Sequence, residues 1–349
     1  MFGRTRVTYR SIGSLAVFVS MNVVWGSVTL AQQQVARMEQ QAGGVLLVVN
    51  DRHHSLLEVD PITGQVEATI PIGVNGHEIT LSTDQRHAWI PIYGDAVIGE
   101  PGTNGSTIDV VDLYSRQVNT IDLGRPLRPH LGIFGPDGLF YVTAELANAV
   151  LIVDPQRKTV VGEIPTGRSQ THALVLSPDG RTGYTANVDS GTVSVLDIPH
   201  RKLLSVIQVT RRVQRIAMSN DGRYVFTSDW DAPRVAVIDT ATQKLTRWIE
   251  VTDVPFVALP TPDGKQLLVA EWNGDKGHLD LVDLATMKRV RSLELSAQPF
   301  GIYFHDGTAY VNCLIAGTIE RLSLATWTLD KPFRLTMGVD GMGWMDRHP

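Results

Sequence analysis

The stretch ALVLSPDGRTGYTANVDSGTVSVLDIPHRKLLSVIQV, residues 173–209, decides the fold. An apolar run at 173–177 ends in Pro178-Asp179-Gly180, a turn sequence in which Gly accepts a positive φ and Asp bonds back to nearby backbone. A second run follows at 183–186, a loop at 188–191, a third run at 192–197 and a fourth at 203–209. The runs are short, rich in Val, Leu, Ile and Tyr, and punctuated by Gly, Asp, Asn and Pro, as β-strands joined by tight turns are. Four such strands in about 42 residues make one propeller blade.

The same unit recurs on both sides of this stretch. The turn Asp falls at Asp84, Asp137, Asp179, Asp221, Asp263 and Asp306, at intervals of 42 or 43 after a first interval of 53. A second Asp closes the third strand at Asp60, Asp112, Asp154, Asp197, Asp239 and Asp283, at intervals of 42 to 44 after a first of 52. Two independent markers thus share one period, and both place an insertion in the second unit. Seven units fit between Val45 and Asp346. The first lacks its own inner strand, and the last shows three strands followed by a spare one, Met342-Gly343-Trp344-Met345. The sequence therefore predicts an all-β, seven-bladed β-propeller with four-stranded blades over residues 45–349. Its C-terminal strand completes blade 1, which removes two sheet edges.

Composition narrows the functions. Of 349 residues 43% are hydrophobic, enough for a sizeable core. The formal net charge is −5 with no basic run, which argues against general nucleic-acid binding, since that needs clustered Lys and Arg. The one cysteine, Cys313, allows neither an intrachain disulfide nor a thiolate-built metal site. Arg4, Arg6 and Arg10, an apolar stretch at 12–28 and small residues at Thr29 and Ala31 read as a signal peptide, 1–31, cleaved before Gln32. An uncleaved membrane anchor is the alternative. Residues 32–44 read as a polar, flexible lead-in. A periplasmic or secreted protein with no membrane span after signal cleavage is expected.

The pieces Tyr141-Val142-Thr143-Ala144, Tyr184-Thr185-Ala186-Asn187 and Tyr310-Val311-Asn312, the strand Gly191-Thr192-Val193-Ser194-Val195-Leu196-Asp197 and the turn Ser177-Pro178-Asp179-Gly180 resemble the YVTN-type repeat propellers. The resemblance covers everything after the signal. It implies the fold and leaves function open, because similar propellers include binding proteins, lactonases and domains of redox enzymes.

The repeat also sorts residues by face. The A-to-B turns repeat Asp-Gly or a close variant (Asp84-Gln85 in blade 2), whereas the opposite face, made of the D-to-A and B-to-C loops, is varied. Seven residues before the turn Asp, blades 2, 3 and 4 carry His77, His130 and His172. Blades 5 and 6 carry Gln214 and Phe256 at that spacing, blade 7 carries Phe300 six residues before Asp306, and blade 1, by the same alignment, Met342. Three histidines in register at the channel mouth are candidate ligands for one divalent metal, Cu, Zn or Fe. The propeller of nitrous oxide reductase, similar in outline, holds a copper cluster with channel histidines. Three histidines do not carry that cluster across, and they can instead bond neighbouring blades or an anion.

The B-to-C loops add Glu145 and Glu271, candidate general bases, and Trp230 and Trp272, a candidate aromatic wall or a cap on the blades. Arg125, Arg128, Arg168, Arg211 and Arg212 beside the histidines suit an anionic ligand, or form a hydrated rim. The insertion at 94–106 reads as a lid or a neutral extension. No Walker loop, nucleophile elbow or haem-attachment Cys pair is present.

Two functions follow. The first is a binding or scaffold protein whose His-bearing face takes a small anionic ligand or an envelope protein. The second is a metal-dependent enzyme, lactonase-like or copper redox, using His77, His130 and His172. Propeller lactonases typically hold their ion with Asp, Glu and Asn, a pattern these positions do not match. The export reading is checked by the intact mass of the protein recovered from the cell envelope: it should begin at Gln32, and a mass that includes residues 1–31 would establish the anchor instead.

Overall fold

The computed structural model describes residues 43–274 and 276–347. The proposed signal, 1–31, and most of the lead-in lie outside the described residues; the first strand begins at Gly44, one residue ahead of the boundary read from sequence. Seven antiparallel sheets follow one another around the ring, each with strands A to D running from the channel outward. In the fourth blade these are Thr171–Leu176, Thr182–Asn187, Thr192–Asp197 and Lys202–Gln208. The predicted four strands are all present there.

Each blade is buried on both sides, so its middle strands are largely apolar, with a few buried polar residues such as Glu58, Asp109 and Asp280. Seven apolar clusters result, one at each blade-to-blade junction. Val45, Leu47, Ile90 and Val111 join blades 1 and 2, for example, and Leu268, Leu281, Val311 and Leu322 join blades 6 and 7. The outer strands are largely exposed and polar. Among the described residues no helix is long and apolar enough to cross a membrane.

The ring closes as the sequence predicts. The C-terminal strand Val339–Asp346 is the inner strand of blade 1 and pairs antiparallel with Gly44–Asn50, with Val45 opposite Met345 and Val48 opposite Met342. One expectation changes. The seventh blade does have a fourth strand, split into Thr328–Leu329 and Phe333–Arg334. Pro332 lies in the break; it has no N–H for the ladder, and this masked the strand in the sequence.

Trp344 is the main apolar anchor of the closure. It is buried with Leu46, Val48 and Tyr310 and stacks on His305 at 3.7 Å between centroids. Trp344→Ala should therefore cost about 3–5 kcal/mol. Denaturant unfolding checks this, and a loss below about 1 kcal/mol would mean that the closing strand contributes little to stability.

Candidate functional site

The inner strands carry a repeated irregularity that aims one residue per blade at the channel. In blade 4, Thr171 pairs with Asn187 and Ala173 with Ala186, so His172 is left out of the register. The same shift leaves out His130, Gln214, Phe256 and Phe300 in blades 3, 5, 6 and 7. A bulge of this kind redirects a side chain away from the ladder. In blade 1 the register places Val339 opposite Asn50, so the equivalent residue is Asp340, not Met342. Counting back from the turn Asp misses this because the closing strand has no such turn. Met342 is instead buried in the apolar core between blades 7 and 1.

These residues surround a cavity of about 510 Å³ at the channel mouth, a size suited to a small organic ligand. One side holds His77, His130, His172 and Tyr93; the other holds Trp230, Phe256, Trp272, Phe300 and Gln214. Trp230 and Trp272 both line it; Phe256 lies 4.8 Å from Phe300 and 6.0 Å from Trp272 between ring centroids, and Arg212 sits over the Trp230 ring. Ala96, Val97 and Ile98, from the insertion in blade 2, line it too.

The histidines are held from behind. His172 Nδ1 lies 2.6 Å from Glu145 Oε1, and the Tyr93 hydroxyl donates to Glu145 Oε2 at 2.7 Å. His77 Nδ1 lies 2.6 Å from Asp340 Oδ2. A carboxylate only accepts, so in each pair Nδ1 carries the proton; at His172 this leaves Nε2 for a ligand. The rings of His130 and His172 lie 3.6 Å apart and those of His77 and His130 5.1 Å apart. Burial, then the neighbouring His172, holds His130 well below its ordinary pKa. Burial also lowers His172, against the opposing pull of Glu145. At His77 burial acts the same way, but the hydrogen bond and charge of Asp340, with Asp51 and Glu78 beyond, outweigh it and raise the pKa. Among the described residues, the metal-type donors within 4.8 Å of one another are Asp51, His77 and Asp340; His130 and His172 do not join that group.

Arg215 was not legible in the sequence. It follows Gln214, crosses the channel to pair with Glu78, reaches within 4.0 Å of Asp340 and sits over the Phe300 ring. It is buried, and Glu78 and Asp340 keep it charged against the effect of burial.

The expected arginine rim is built differently, and none of its members lines the cavity. Arg125 pairs with Glu163, Arg211 and Arg212 with Asp231, and Arg168 bonds the Gly167 carbonyl. Arg128 is buried and donates to Asn104 Oδ1 and to the Glu100 carbonyl, both at 2.6 Å, which pins the blade 2 insertion over the cavity. Arg52 lines the cavity edge, with His54 beside it, whose Nδ1 accepts the Asn75 N–H at 3.2 Å.

Neither candidate base reaches the cavity. Glu145 positions His172. Glu271 is buried, accepts the Asp253 N–H at 2.6 Å, and is pushed up to about 9 by burial and then by Asp280. It is therefore protonated at neutral pH. Between its ordinary value of 4.5 and about 9 the folded chain holds a proton that the unfolded chain has lost, so this group makes stability fall as pH rises through that window. Glu271→Gln keeps the acceptor and removes the titration. Unfolding curves from pH 5 to 9 should show a shallower decline in the variant, and identical slopes would contradict this placement of the proton.

The pattern of the Cytochrome D1 heme domain family matches residues 134–260, from the end of the blade 3 inner strand to that of blade 6. No curated protein sequence matches the chain significantly. Solved structures share the fold. Hydrazine synthase of Kuenenia stuttgartiensis is 18% identical with a TM-score of 0.63, over 75% of this chain and 87% of its own. The dihydro-heme d1 dehydrogenase NirN, solved in complex with DHE, is 13% identical with a TM-score of 0.62, over 88% and 76%. A functionally unknown protein from Desulfotomaculum acetoxidans is 11% identical with a TM-score of 0.69, over 87% and 99%. The chain is thus a seven-bladed β-propeller, and its residues 134–260 match the Cytochrome D1 heme domain pattern.

Proposed function

We propose that this chain is an exported binding protein that takes a planar, carboxylate-bearing tetrapyrrole of the d1-haem class in the channel-mouth cavity. The observation that carries the reading is the distribution of unmet hydrogen-bonding groups. His130 Nδ1, Gln214 Oε1, Trp272 Nε1 and Gln298 Oε1 are buried, find no partner within the protein, and belong to residues that line this cavity. Buried polar atoms are normally satisfied, so four around one cavity call for a polar ligand.

The remaining chemistry fits an iron tetrapyrrole. The aromatic wall offers flat apolar surface to a macrocycle. Arg52 at the edge offers positive charge to its carboxylates. His172 is the residue we assign to the iron: Glu145 fixes its tautomer, Tyr93 fixes Glu145, and burial keeps the ring neutral. When bound, the group would supply a redox-active metal, tuned by the residue that holds it and by the polarity around it. The family pattern at 134–260 includes His172, Gln214, Trp230 and Phe256 and supports the same ligand class. Nothing in this reading requires catalysis, and neither glutamate expected as a general base, Glu145 or Glu271, lines the cavity. The N-terminal segment supports export to the periplasm.

Titration of the purified protein with a ferric tetrapyrrole, followed by visible absorption and by quenching of tryptophan fluorescence, tests the proposal. The wild type should bind one equivalent. His172→Ala should weaken binding at least tenfold, about 1.4 kcal/mol, and Trp230→Ala should reduce the quenching. Equal binding by wild type and His172→Ala would overturn the assignment of the ligand histidine, and no binding by the wild type would overturn the function.

A further inference from the structure

The channel floor holds a second group of donors, distinct from the His130–His172 pair. Asp340 comes from the closing strand, Asp51 from the B-to-C loop of blade 1, and His77 from the segment just before the blade 2 inner strand, Thr80–Leu81. Each offers one ligand atom, and the three atoms lie within 4.8 Å of one another. Asp51 and Asp340 are 7% and 2% exposed. Glycines of the closing strand bring the three together. At Gly338, whose φ is +99°, a Cβ would fall 2.4 Å from Asp51 Oδ1; at Gly341 a Cβ would fall 2.4 Å from the His77 carbonyl oxygen. Any larger residue at either position would push the strand off the group.

The charges are unbalanced. Asp51, Asp340 and Glu78 bring three carboxylates. The buried cation facing them is Arg215, which pairs with Glu78 and stands 4.0 Å from Asp340. Arg52 Nε also lies 4.0 Å from Asp51 Oδ1, beyond hydrogen-bond range, on a side chain that is 64% exposed. Asp51 Oδ1 is buried and makes no hydrogen bond. A buried carboxylate oxygen left without a donor is costly, and a cation is the partner that satisfies it.

We infer that Asp51, His77 and Asp340 form a binding site for one divalent first-row cation on the cavity wall. Two carboxylate oxygens and one imidazole nitrogen are borderline-hard donors that suit Mn²⁺, Fe²⁺, Co²⁺ or Zn²⁺. Asp51 and His77 line the cavity, so the positions the protein leaves open face it and can be filled by water or by an oxygen of a bound ligand. This site differs from the three-histidine arrangement expected from the repeat. It keeps His77 and replaces the other two histidines by acids that the seven-residue spacing does not mark.

Titration of the purified protein with CoCl2, without any tetrapyrrole, tests the inference independently of the proposed function. One equivalent should bind, with the visible ligand-field bands of a protein-held Co²⁺, and ZnCl2 should displace it. Asp51→Asn should weaken binding at least tenfold. Because Asp340 also belongs to the closing strand, Asp340→Asn is read together with its unfolding curve. His172→Ala, which leaves all three donors in place, should bind Co²⁺ as the wild type does. Absence of Co²⁺ binding in the folded wild type, or equal binding in Asp51→Asn, would overturn the site. Loss of binding in His172→Ala would instead place the cation among the histidines and would overturn it equally.

Discussion

The pairing of Val339–Asp346 with Gly44–Asn50 is the contact on which the rest of the structure depends. Without it the inner position of blade 1 is empty, and blades 1 and 7 expose apolar faces that no other element covers. Closure of this kind replaces two open sheet edges with one more ladder. It also brings Asp340 to the channel. The Gly341 N–H bonds the His77 carbonyl at 2.8 Å, and Asp340 holds the His77 ring. The strand that closes the ring therefore also builds one wall of the site, and folding and site assembly are coupled through it.

The site is asymmetric although the scaffold repeats. One bulge per inner strand presents a ring of residues to the channel, and the chain fills that ring with Asp340 and three histidines on one side and Gln214, Phe256 and Phe300 on the other. The polar half is organised by buried carboxylates, Glu145 behind His172 and Asp340 behind His77. The apolar half gains the two Trp from the neighbouring loops. A cavity with a basic imidazole face and a flat aromatic face suits a ligand that is itself planar, with metal or charge at one side. Arg128 adds a cover by pinning the blade 2 insertion, so the cavity is shaped by a loop as well as by the ring.

The parts legible in the sequence are those governed by the repeat. The Asp-Gly turns and the alternation of strand and turn placed the blades, and the fixed distance from the turn aligned His77, His130 and His172. The aromatic wall followed from the matched positions of Trp230 and Trp272. What escaped depends on contacts between non-equivalent positions. Asp340 lies on a strand with no turn Asp to count from, and its partner His77 is 263 residues away. Arg215 pairs across the channel with Glu78, 137 residues distant, and no local pattern marks it. The arginine rim was placed by loop position alone; nearby Glu163 and Asp231 draw Arg125, Arg211 and Arg212 outward, and Arg128 turns inward to hold the insertion. Glu145 stood out as a loop carboxylate, but its work is to orient an imidazole.

The central claim is that the cavity between the histidine and aromatic faces is the ligand site. The most direct measurement is a crystal structure of the protein grown with an iron tetrapyrrole, using anomalous scattering to locate the iron. The account predicts one iron peak beside the His172 ring and a macrocycle against Trp230 and Trp272. An iron peak outside the channel mouth, or a cavity that holds only water at saturating ligand, would contradict it.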